Sequence, residues 1–333
     1  MKKGLFICSV LVVVQLAVTM LVYQRARQED RTVQTGPLLT MDVAAVQVLE
    51  LEDRDGRSLV VQKEQGGWLL PALADLPADG PQIQRLLERI GTVQRGWPEA
   101  TTAEAALRFR VADDQFERKL TLHGKDGTRE VWYFGVSPGL RRLYFRVDGD
   151  QEIHSLQVLA HELEVLADAW IDASLLHVEA DQVERVELPG LTLVRGAAGL
   201  QPNDLSQQED VIRDRLDTFI GHLTGLTVTG VLGSESKAGF DLDDSFFSYR
   251  LVLADDSDRG YTLYRPVIGE QEEEEAIGAD SNPILQVSGY EQLFRVAAWQ
   301  VEDITGISRE DLVRPLSEGK ALSAIEAQDL FVQ

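Results

Sequence analysis

The chain has 333 residues, 44% of them hydrophobic, and this content excludes a wholly disordered protein. Its formal net charge of −23 at pH 7 repels nucleic acids and anionic lipid head groups. The only cysteine is Cys8, so the chain after it has no disulfide, thiol nucleophile or cysteine-bound metal.

The N-terminus predicts one membrane-spanning helix. Residues 4–23 contain no charged side chain, and twenty helical residues extend about 30 Å, the thickness of the hydrocarbon core of a bilayer. A cleaved signal peptide is the alternative, but Thr19-Met20-Leu21 lacks the small residues of a cleavage site. We therefore predict an uncleaved anchor with a juxtamembrane segment over residues 1–31, and a linker over residues 32–41.

The charges beside this segment leave its orientation open. Lys2 and Lys3 precede it, whereas Arg25, Arg27 and Arg31 follow it together with two acidic residues. The positive-inside rule weighs Lys and Arg near the ends of a span, and here the two ends are nearly balanced. Charge alone therefore does not say on which side of the membrane the body lies.

The body repeats itself at an offset of 131 residues. Phe109 matches Phe240, and Leu120 matches Leu251 without a gap in between. The predicted elements also follow one another in the same order in both halves. This indicates two diverged copies of one structural unit.

Each copy begins with a predicted strand pair and an amphipathic helix. Alternating apolar residues predict the strand pairs, around turns at Asp55-Gly56 and Pro189-Gly190. Asp79 and Ser206 are the predicted helix N-caps, and Ser206 forms a capping box with Glu209. The apolar stripes of the two helices are Ile83, Leu86, Leu87 and Ile90 in the first, and Ile212, Leu216, Phe219, Ile220 and Leu223 in the second.

A hairpin, further strands and a closing helix complete each copy. The predicted hairpins join residues 119–122 to 129–134 and 250–253 to 261–264, and further strands cover 143–147, 153–155 and 284–287. The predicted closing helices carry Leu159, Leu163, Leu166 and Trp170 in the first copy, and Leu293, Val296 and Trp299 in the second.

The predicted fold class is α+β, with two tandem diverged repeats after the transmembrane helix, each a small, mainly antiparallel sheet covered by helices. The repeats span residues 42–173 and 174–305. A C-terminal tail, 306–333, contains a predicted short helix at 321–331. The acidic run 270–275 predicts a solvated loop inserted in the second copy.

Several short motifs resemble a known family, the bacterial domain-of-unknown-function 4340 family, over most of residues 42–305. The motifs are Gly67-Trp68, Leu76–Asp79, Tyr133-Phe134-Gly135, Tyr144–Gly149 and Trp170-Ile171-Asp172. The resemblance implies an N-terminal span in the inner membrane and a body in the periplasm or extracytoplasmic space. It also implies a partner, since members are often encoded beside an ABC-type transporter with a gliding-motility-like auxiliary subunit. It implies no catalytic residues, because none are established for the family.

No catalytic, cofactor or metal site is predicted. His161-Glu162 begins like the helix of a zinc protease, but Val165 stands where a second histidine is needed. Ser234 and Ser236 lack the second glycine of a nucleophile elbow, and the sequence has no glycine-rich phosphate loop.

Three other groups have a functional and a structural interpretation. The pairs Asp113-Asp114 and Asp243-Asp244 fit acid–base chemistry or a cation, but turns before strands are the favoured explanation. Glu272–Glu275 lacks the alternating ligands of a calcium loop, which favours a solvated loop. Trp132, Tyr133, Phe145 and Arg146 fit an aromatic ligand groove, but core packing is favoured.

These observations favour a non-enzymatic accessory or scaffold protein of a membrane transport complex, in contact with another membrane protein. The alternative is a module that binds a saccharide or envelope polymer in the groove between the copies. An enzyme is the third hypothesis, and a compact constellation of His, Asp or Ser side chains would revive it.

Overall fold

The computed structural model describes residues 15–16, 18–20, 36–139, 141–232, 240–266 and 283–316. Most of the predicted anchor, the acidic run 270–275, Ser234, Ser236 and the predicted helix at 321–331 lie outside the described residues. Within the described ranges, no helix has both the length and the apolar character needed to cross a membrane.

The first part of the chain has ten strands and two α-helices. They are β1 (Val46–Asp53), β2 (Ser58–Glu64), β3 (Gly67–Leu70), β4 (Leu76–Pro77), α1 (Gly80–Gly91), α2 (Ala103–Phe109), β5 (Val111–Ala112), β6 (Gln115–Phe116), β7 (Arg118–Gly124), β8 (Arg129–Phe134), β9 (Leu143–Val147) and β10 (Ile153–Leu156).

The second part has ten described strands and three described α-helices. They are β11 (Val183–Leu188), β12 (Leu191–Gly196), β13 (Gly199–Pro202), β14 (Glu209–Val211), α3 (Arg213–Thr224), β15 (Val228–Leu232), β16 (Phe240–Leu253), β17 (Asp258–Pro266), β18 (Ile284–Val287), β19 (Leu293–Val296), α4 (Ala298–Thr305), α5 (Arg309–Leu312) and β20 (Val313–Pro315).

Two eight-stranded sheets make up most of the described structure. Their strand orders are β10-β9-β8-β7-β1-β2-β3-β4 and β13-β12-β11-β16-β17-β18-β19-β15. The β1–β7 and β11–β16 pairs at the centre of the two sheets are antiparallel, as are the β7–β8 and β16–β17 hairpins. The fold class is therefore α+β with mainly antiparallel sheets, as the sequence predicts.

Seven strands of each sheet follow the same order. Strands β1 to β3 and β7 to β10 of the first sheet correspond to β11 to β13 and β16 to β19 of the second. The eighth strand differs, because β4 follows β3 at one end of the first sheet whereas β15 follows β19 at the opposite end of the second.

Details of two turns also correspond. Asp126 accepts hydrogen bonds from the N–H and the hydroxyl of Thr128, and Asp255 accepts the same two bonds from Ser257. In both cases the aspartate closes the hairpin turn after the central strand, β7 or β16. An Asp two residues before a Ser or Thr is a common way to fix such a turn.

The predicted offset of 131 residues is wrong in this central hairpin. Leu122 is opposite Leu49 in the first sheet, and Leu251 is opposite Val186 in the second. Strands β1 and β11 occupy the same place in their sheets, and Leu49 and Val186 are each the fourth residue of their strand. Leu251 therefore corresponds to Leu122 and not to Leu120. A shift of two residues leaves every side chain on the same face, so the apolar pattern does not reveal it.

The helices predicted from their apolar stripes are present. The side chains of α1 on this stripe are all buried, as are those of α3 from Leu216 onwards. The predicted start of the second helix is wrong, because α3 begins at Arg213. The Ser206 N–H does bond the Glu209 carboxylate at 3.1 Å, but this contact closes a turn before β14 and not a helix.

The predicted closing helices are also wrong. In the first copy two separate 3₁₀ turns, Ala160–Leu163 and Ala167–Trp170, replace one helix, and Leu166 between them is 56% exposed. In the second, Leu293–Val296 forms strand β19. Helix α4 begins after it and leaves Trp299 61% exposed.

Contacts divide the chain into two compact units. The first unit consists of residues 36–66 and Gly80–Leu166, and the second of Gly67–Asp79 and residues 167–316. Residues 306–316 belong to the second unit through α5 and β20, which pairs with β14, although the sequence predicts only a tail there. The repeat boundaries at 42–173 and 174–305 stay a prediction.

Two of the motifs shared with the family lie against each other in the second unit. The Asp79 N–H donates to the Trp170 carbonyl at 2.7 Å, and the Asp172 N–H donates to the Pro77 carbonyl at 3.0 Å. Trp170 is fully buried. These motif residues therefore have a structural role, since their backbones join two segments nearly a hundred residues apart.

Candidate functional site

A cleft of about 750 Å³ in the first unit is the candidate binding site. It lies among α2, the β5–β6 turn and the turn between β9 and β10, and its volume is in the usual range for small-molecule sites. Its walls combine small apolar side chains with polar groups at the mouth. The lining includes Thr101, Ala103, Leu107, Ala112, Asp114 and Gln151.

Helix α2 forms the apolar wall of this cleft. Thr102 caps it, since its hydroxyl accepts the Ala105 N–H at 3.2 Å. Ala105 and Ala106 are buried in a cluster that includes Tyr133 of β8. The helix ends at Arg110, which adopts a left-handed conformation (φ 55°).

Arg146 of β9 holds the opposite wall in place. Its Nε donates to the Val111 carbonyl at 2.8 Å and its Nη1 to the Asp150 carbonyl at 3.0 Å, while Nη2 pairs with the Asp113 carboxylate. Its guanidinium also lies 4.9 Å from the centre of the Tyr133 ring, at cation–π distance. The Arg146 side chain is only 9% exposed, so its donors serve the β5–β6 and β9–β10 turns.

A second arginine holds the floor of the β9–β10 turn. Arg95 pairs with the carboxylate of Asp150 at 2.7 Å and with that of Glu152 at 2.9 Å. Burial acts to raise the pKa of Asp150, but the Glu152 N–H and the Arg95 guanidinium outweigh it, and the pKa is lowered. This carboxylate is therefore ionised at neutral pH and is a fixed part of the turn.

Tyr133 is a neutral phenol under the cleft wall. Burial raises its pKa above the ordinary value of 10.0, and the negative charges of Asp148 and Asp113 raise it further. A phenol that stays protonated has no role as a base, so the geometry gives Tyr133 a packing role beneath Arg146.

Gly135 allows the backbone of β8 to pass closely under the end of α2. A Cβ at this position would lie 1.9 Å from the Phe109 carbonyl oxygen and 2.6 Å from that of Arg110. The Val136 N–H next to it donates to the same Phe109 carbonyl at 3.0 Å. Glycine at 135 therefore sets the height of α2 above the sheet.

The aromatic side chains for which the sequence allows either a ligand groove or core packing are packed in the core. Trp132 and Phe145 are completely buried, with ring centres 5.1 Å apart, and Tyr133 and Arg146 are also buried. None of the aromatic rings lines the described cleft.

The two predicted carboxylate pairs have different environments. Asp113 and Asp114 form the turn between β5 and β6, as predicted, and both are exposed at the cleft. Asp243 and Asp244 lie inside β16, so the predicted turn is wrong for this pair. The described structure therefore does not place the two pairs at equivalent positions.

The histidines are dispersed. His161 is exposed on a 3₁₀ turn, where Glu162 instead pairs with Arg89 at 2.5 Å. His154 is buried beside Phe145, with 5.8 Å between ring centres. Across the described ranges, no group of three or more His, Cys, Asp or Glu side chains has the geometry to hold a metal ion.

No pattern in the sequence predicts the cleft. Its exposed polar groups, those of Thr101, Asp114 and Gln151, come from three separate loops and form no local motif. The Thr102 cap followed by an Ala-Glu-Ala-Ala run was the one available signal for α2. The Thr101 hydroxyl and the Gln151 amide can donate hydrogen bonds to a ligand and accept them from it, and the Asp114 carboxylate can accept them. The donors of buried Arg146 are already bonded to the turns.

In the second unit, Asp168 is a half-buried carboxylate beside a strand bulge. Its Oδ1 accepts the Val231 N–H at 3.2 Å, and its Oδ2 lies 2.8 Å from where a Cβ on Gly230 would stand. Burial raises the pKa of Asp168 above its ordinary value of 3.8, although the Val231 bond and the Arg295 charge act against this.

Asp168→Asn is expected to stabilise the protein more at pH 7 than at pH 4. A carboxyl whose pKa is raised by folding contributes most stability at low pH and loses it as the pH rises through the folded-state value. Asparagine keeps the acceptor for Val231 without the charge. We expect a gain below about 1 kcal/mol, since the group is half exposed, measured by urea unfolding at both pH values.

Asp255→Asn is the control of opposite sign. The Ser257 hydroxyl and N–H lower the pKa of Asp255, so its stabilising effect is present at pH 7 and lost on acidification. The asparagine variant should therefore lose more stability at pH 7 than at pH 4. If the change in the free energy of unfolding depended on pH in the same way for both variants, folding would not raise the pKa of Asp168, and the prediction would be wrong.

Comparison with known proteins gives one match. A family model described as a domain of unknown function (DUF4340) matches residues 68–244, more than half of the chain. The matched region begins at Trp68, within β3, and includes the cleft and six of the eight strands of the first sheet, β3, β4 and β7 to β10. Neither the curated proteins nor the solved structures gave a match.

Proposed function

The chain belongs to the DUF4340 family, and on this premise we propose that it is a non-enzymatic, membrane-anchored accessory protein of an ABC-type transport system. In this proposal residues 4–23 anchor the chain in the inner membrane. The body lies on the periplasmic or extracytoplasmic side and contacts a membrane subunit of the transporter.

The observation that carries the proposal is the shared order of seven strands in the two sheets. We infer from it that the body consists of two tandem, diverged copies of one unit. Tandem units multiply the surface available to a partner without needing a reactive centre. The uncharged N-terminal stretch supports the membrane anchor in this proposal. The resemblance to the family supports the transporter as the partner.

The chemistry of the cleft agrees with a non-enzymatic role. Two charged residues lie at its wall, Arg146 and Asp150. Buried Arg146 donates to the Asp150 carbonyl, and the half-buried Asp150 carboxylate accepts the Glu152 N–H and pairs with Arg95. Tyr133 beneath them is kept protonated. These groups hold the fold together, so the proposal assigns them no part in a reaction.

Crosslinking in native membranes tests this function. The full chain would be crosslinked, purified in mild detergent through an affinity tag, and its attached peptides identified. Transporter subunits attached to residues 42–305 are the expected result. A chain that repeatedly comes back without a protein partner would contradict the proposal.

The cleft favours a second candidate, an extracytoplasmic module that binds a saccharide or envelope polymer. Exposed Thr101, Asp114 and Gln151 at its mouth are groups that bond hydroxyls. The predicted site in a groove between the copies stays a prediction. Titration of the full chain with envelope oligosaccharides, with Gln151→Ala as the cleft variant and Gln62→Ala as the surface control, tests this function by calorimetry. Saturable heat that only Gln151→Ala abolishes would favour it over the accessory role.

A further inference from the structure

The cleft of the first unit has an apolar wall of small side chains. Ala103, Ala106 and Leu107 of α2 and Ala112 of β5 form this wall, and Leu107 is 47% exposed. Such a surface takes the C–H face of a sugar ring or an alkyl chain without leaving a polar group unpaired. Part of the affinity of this cleft for a ligand therefore comes from apolar contact.

The polar part of the cleft is negatively charged. Three carboxylates line it, those of Asp113, Asp114 and Asp150, against the one guanidinium of Arg146, so the lining has a net charge of −2. Ligands of the same shape are therefore distinguished by their charge, because a negative lining attracts a cation and repels an anion.

Two of these carboxylates already balance positive charges of the fold. Asp113 pairs with Arg146, and Asp150 pairs with Arg95 at 2.7 Å. Asp114 is exposed in the turn between β5 and β6, and it forms no ion pair with any residue of the described ranges. The carboxylate of Asp114 is therefore the charge that a ligand in the cleft can pair with.

The volume and the fixed walls of the cleft, and not its acidity, make it a site. It measures about 750 Å³, and the side chain of Arg146 in its wall is nine-tenths buried and bonds the carbonyls of Val111 and Asp150. Thr101 and Gln151 also line the cleft and bond hydroxyl groups well. The lining thus combines an apolar wall, hydroxyl-binding groups and one available negative charge.

We propose that the cleft binds an amino sugar unit of a saccharide or envelope polymer, with the ammonium group at Asp114 and ring hydroxyls at Thr101 and Gln151. A hydrogen bond from an ammonium group to a carboxylate is roughly twice as strong as one between neutral groups, so this position favours an amine over a hydroxyl or an acetamide. The inference rests on the second candidate function, the binding module, and names the chemical class of its ligand.

Calorimetry with a matched pair of oligosaccharides tests this proposal. The full chain in mild detergent is titrated with a glucosamine tetramer and with the same tetramer in its N-acetylated form, which differs only in the uncharged nitrogen. We expect the amine form to bind about fivefold more tightly, the upper range for an exposed ion pair. Added salt should weaken the binding of the amine form much more than that of the acetylated form.

Asp114→Asn makes the test specific for the proposed contact. Asparagine has the same size without the charge, so this variant should bind the amine form about fivefold more weakly and the acetylated form as before. Glu64→Gln is the matched control, because it removes one charge at an exposed strand position of the same unit outside the cleft lining, and it should change neither affinity. Unchanged hydrogen exchange of the α2 amides in Asp114→Asn shows that the cleft keeps its shape.

The other outcomes overturn the proposal. Equal affinities for the two tetramers, both abolished by Gln151→Ala, would leave the binding module standing and remove the amino group from its ligand. Tetralysine that binds as tightly as the glucosamine tetramer, and is weakened equally by Asp114→Asn, would make the ligand a basic peptide. An equal loss in Glu64→Gln would mean that the surface charge as a whole, and not Asp114, attracts the amine. If no oligosaccharide binds, this inference and the binding module both fail.

Discussion

Arg146→Met is expected to lower the free energy of unfolding of the first unit by about 3 kcal/mol or more. Methionine fills a similar volume but leaves the buried carbonyl of Val111 and the partly buried carbonyl of Asp150 without their donor. Each unsatisfied buried acceptor costs about 1–3 kcal/mol. The loss should be measured by native-state hydrogen exchange of the β8 and β9 amides, which reports on this unit alone.

Two further variants separate the parts played by charge and geometry. Arg146→Lys keeps the charge but cannot reach three acceptors with a planar fork, so it should recover only part of the stability. Asp113→Asn removes a carboxylate that is 71% exposed, and its effect should stay below about 1 kcal/mol. If Asp113→Asn were as harmful as Arg146→Met, the ion pair and not the bonds to the carbonyls would hold the turns.

The parts of the fold that the sequence predicts well are those with a long, regular apolar period. The stripe of α1 and the alternation in β1 and β2 each extend over six residues or more. Over this length, a period of 3.6 and a period of 2 give different patterns. The central hairpins were predicted for the same reason, together with their Asp- and Gly-containing turns.

Short segments were predicted less well because the two periods agree over a few residues. Leu293 and Val296 are three apart, which fits one face of a helix, but Phe294 between them is also buried, as expected in a strand covered on both faces. Leu166 and Trp170 fit the face of a helix, yet Leu166 lies between two 3₁₀ turns and Trp170 ends the second of them. Tertiary contacts decided these segments, and the sequence pattern does not contain them.

The candidate cleft shows a different limit. Its groups come from α2, the β5–β6 turn and the β9–β10 turn, which are up to fifty residues apart in the sequence. Their proximity depends on Arg146, which the sequence places in an aromatic strand but does not connect to Val111 or Asp150. A site assembled by one buried side chain between loops leaves no spacing motif to recognise.

The family motifs have a common explanation in backbone contacts. Gly135 lies against the carbonyl of Phe109, and the Leu76–Asp79 segment bonds the backbone of Trp170. The close contact at position 135 requires glycine, whereas the backbone bonds of the other segment fix its conformation and not its side chains. These motif residues therefore have a structural role in the fold.

Gly135→Ala is expected to destabilise the first unit by about 3 kcal/mol, at or above the upper end for overpacked sites. The added methyl group would meet backbone carbonyl oxygens at 1.9 Å and 2.6 Å, and these cannot rotate away as a flexible side chain does. Relief requires α2 to move from the sheet, which would expose Ala105 and Ala106 and widen the cleft. Gly96→Ala, where nothing lies within 4 Å of the added Cβ, is the control and should change stability by less than about 0.5 kcal/mol. Hydrogen exchange of the α2 and β8 amides distinguishes the two variants. Equal protection in both would mean that α2 is not held at the height that Gly135 sets, and the cleft would then have no fixed shape to present to a ligand.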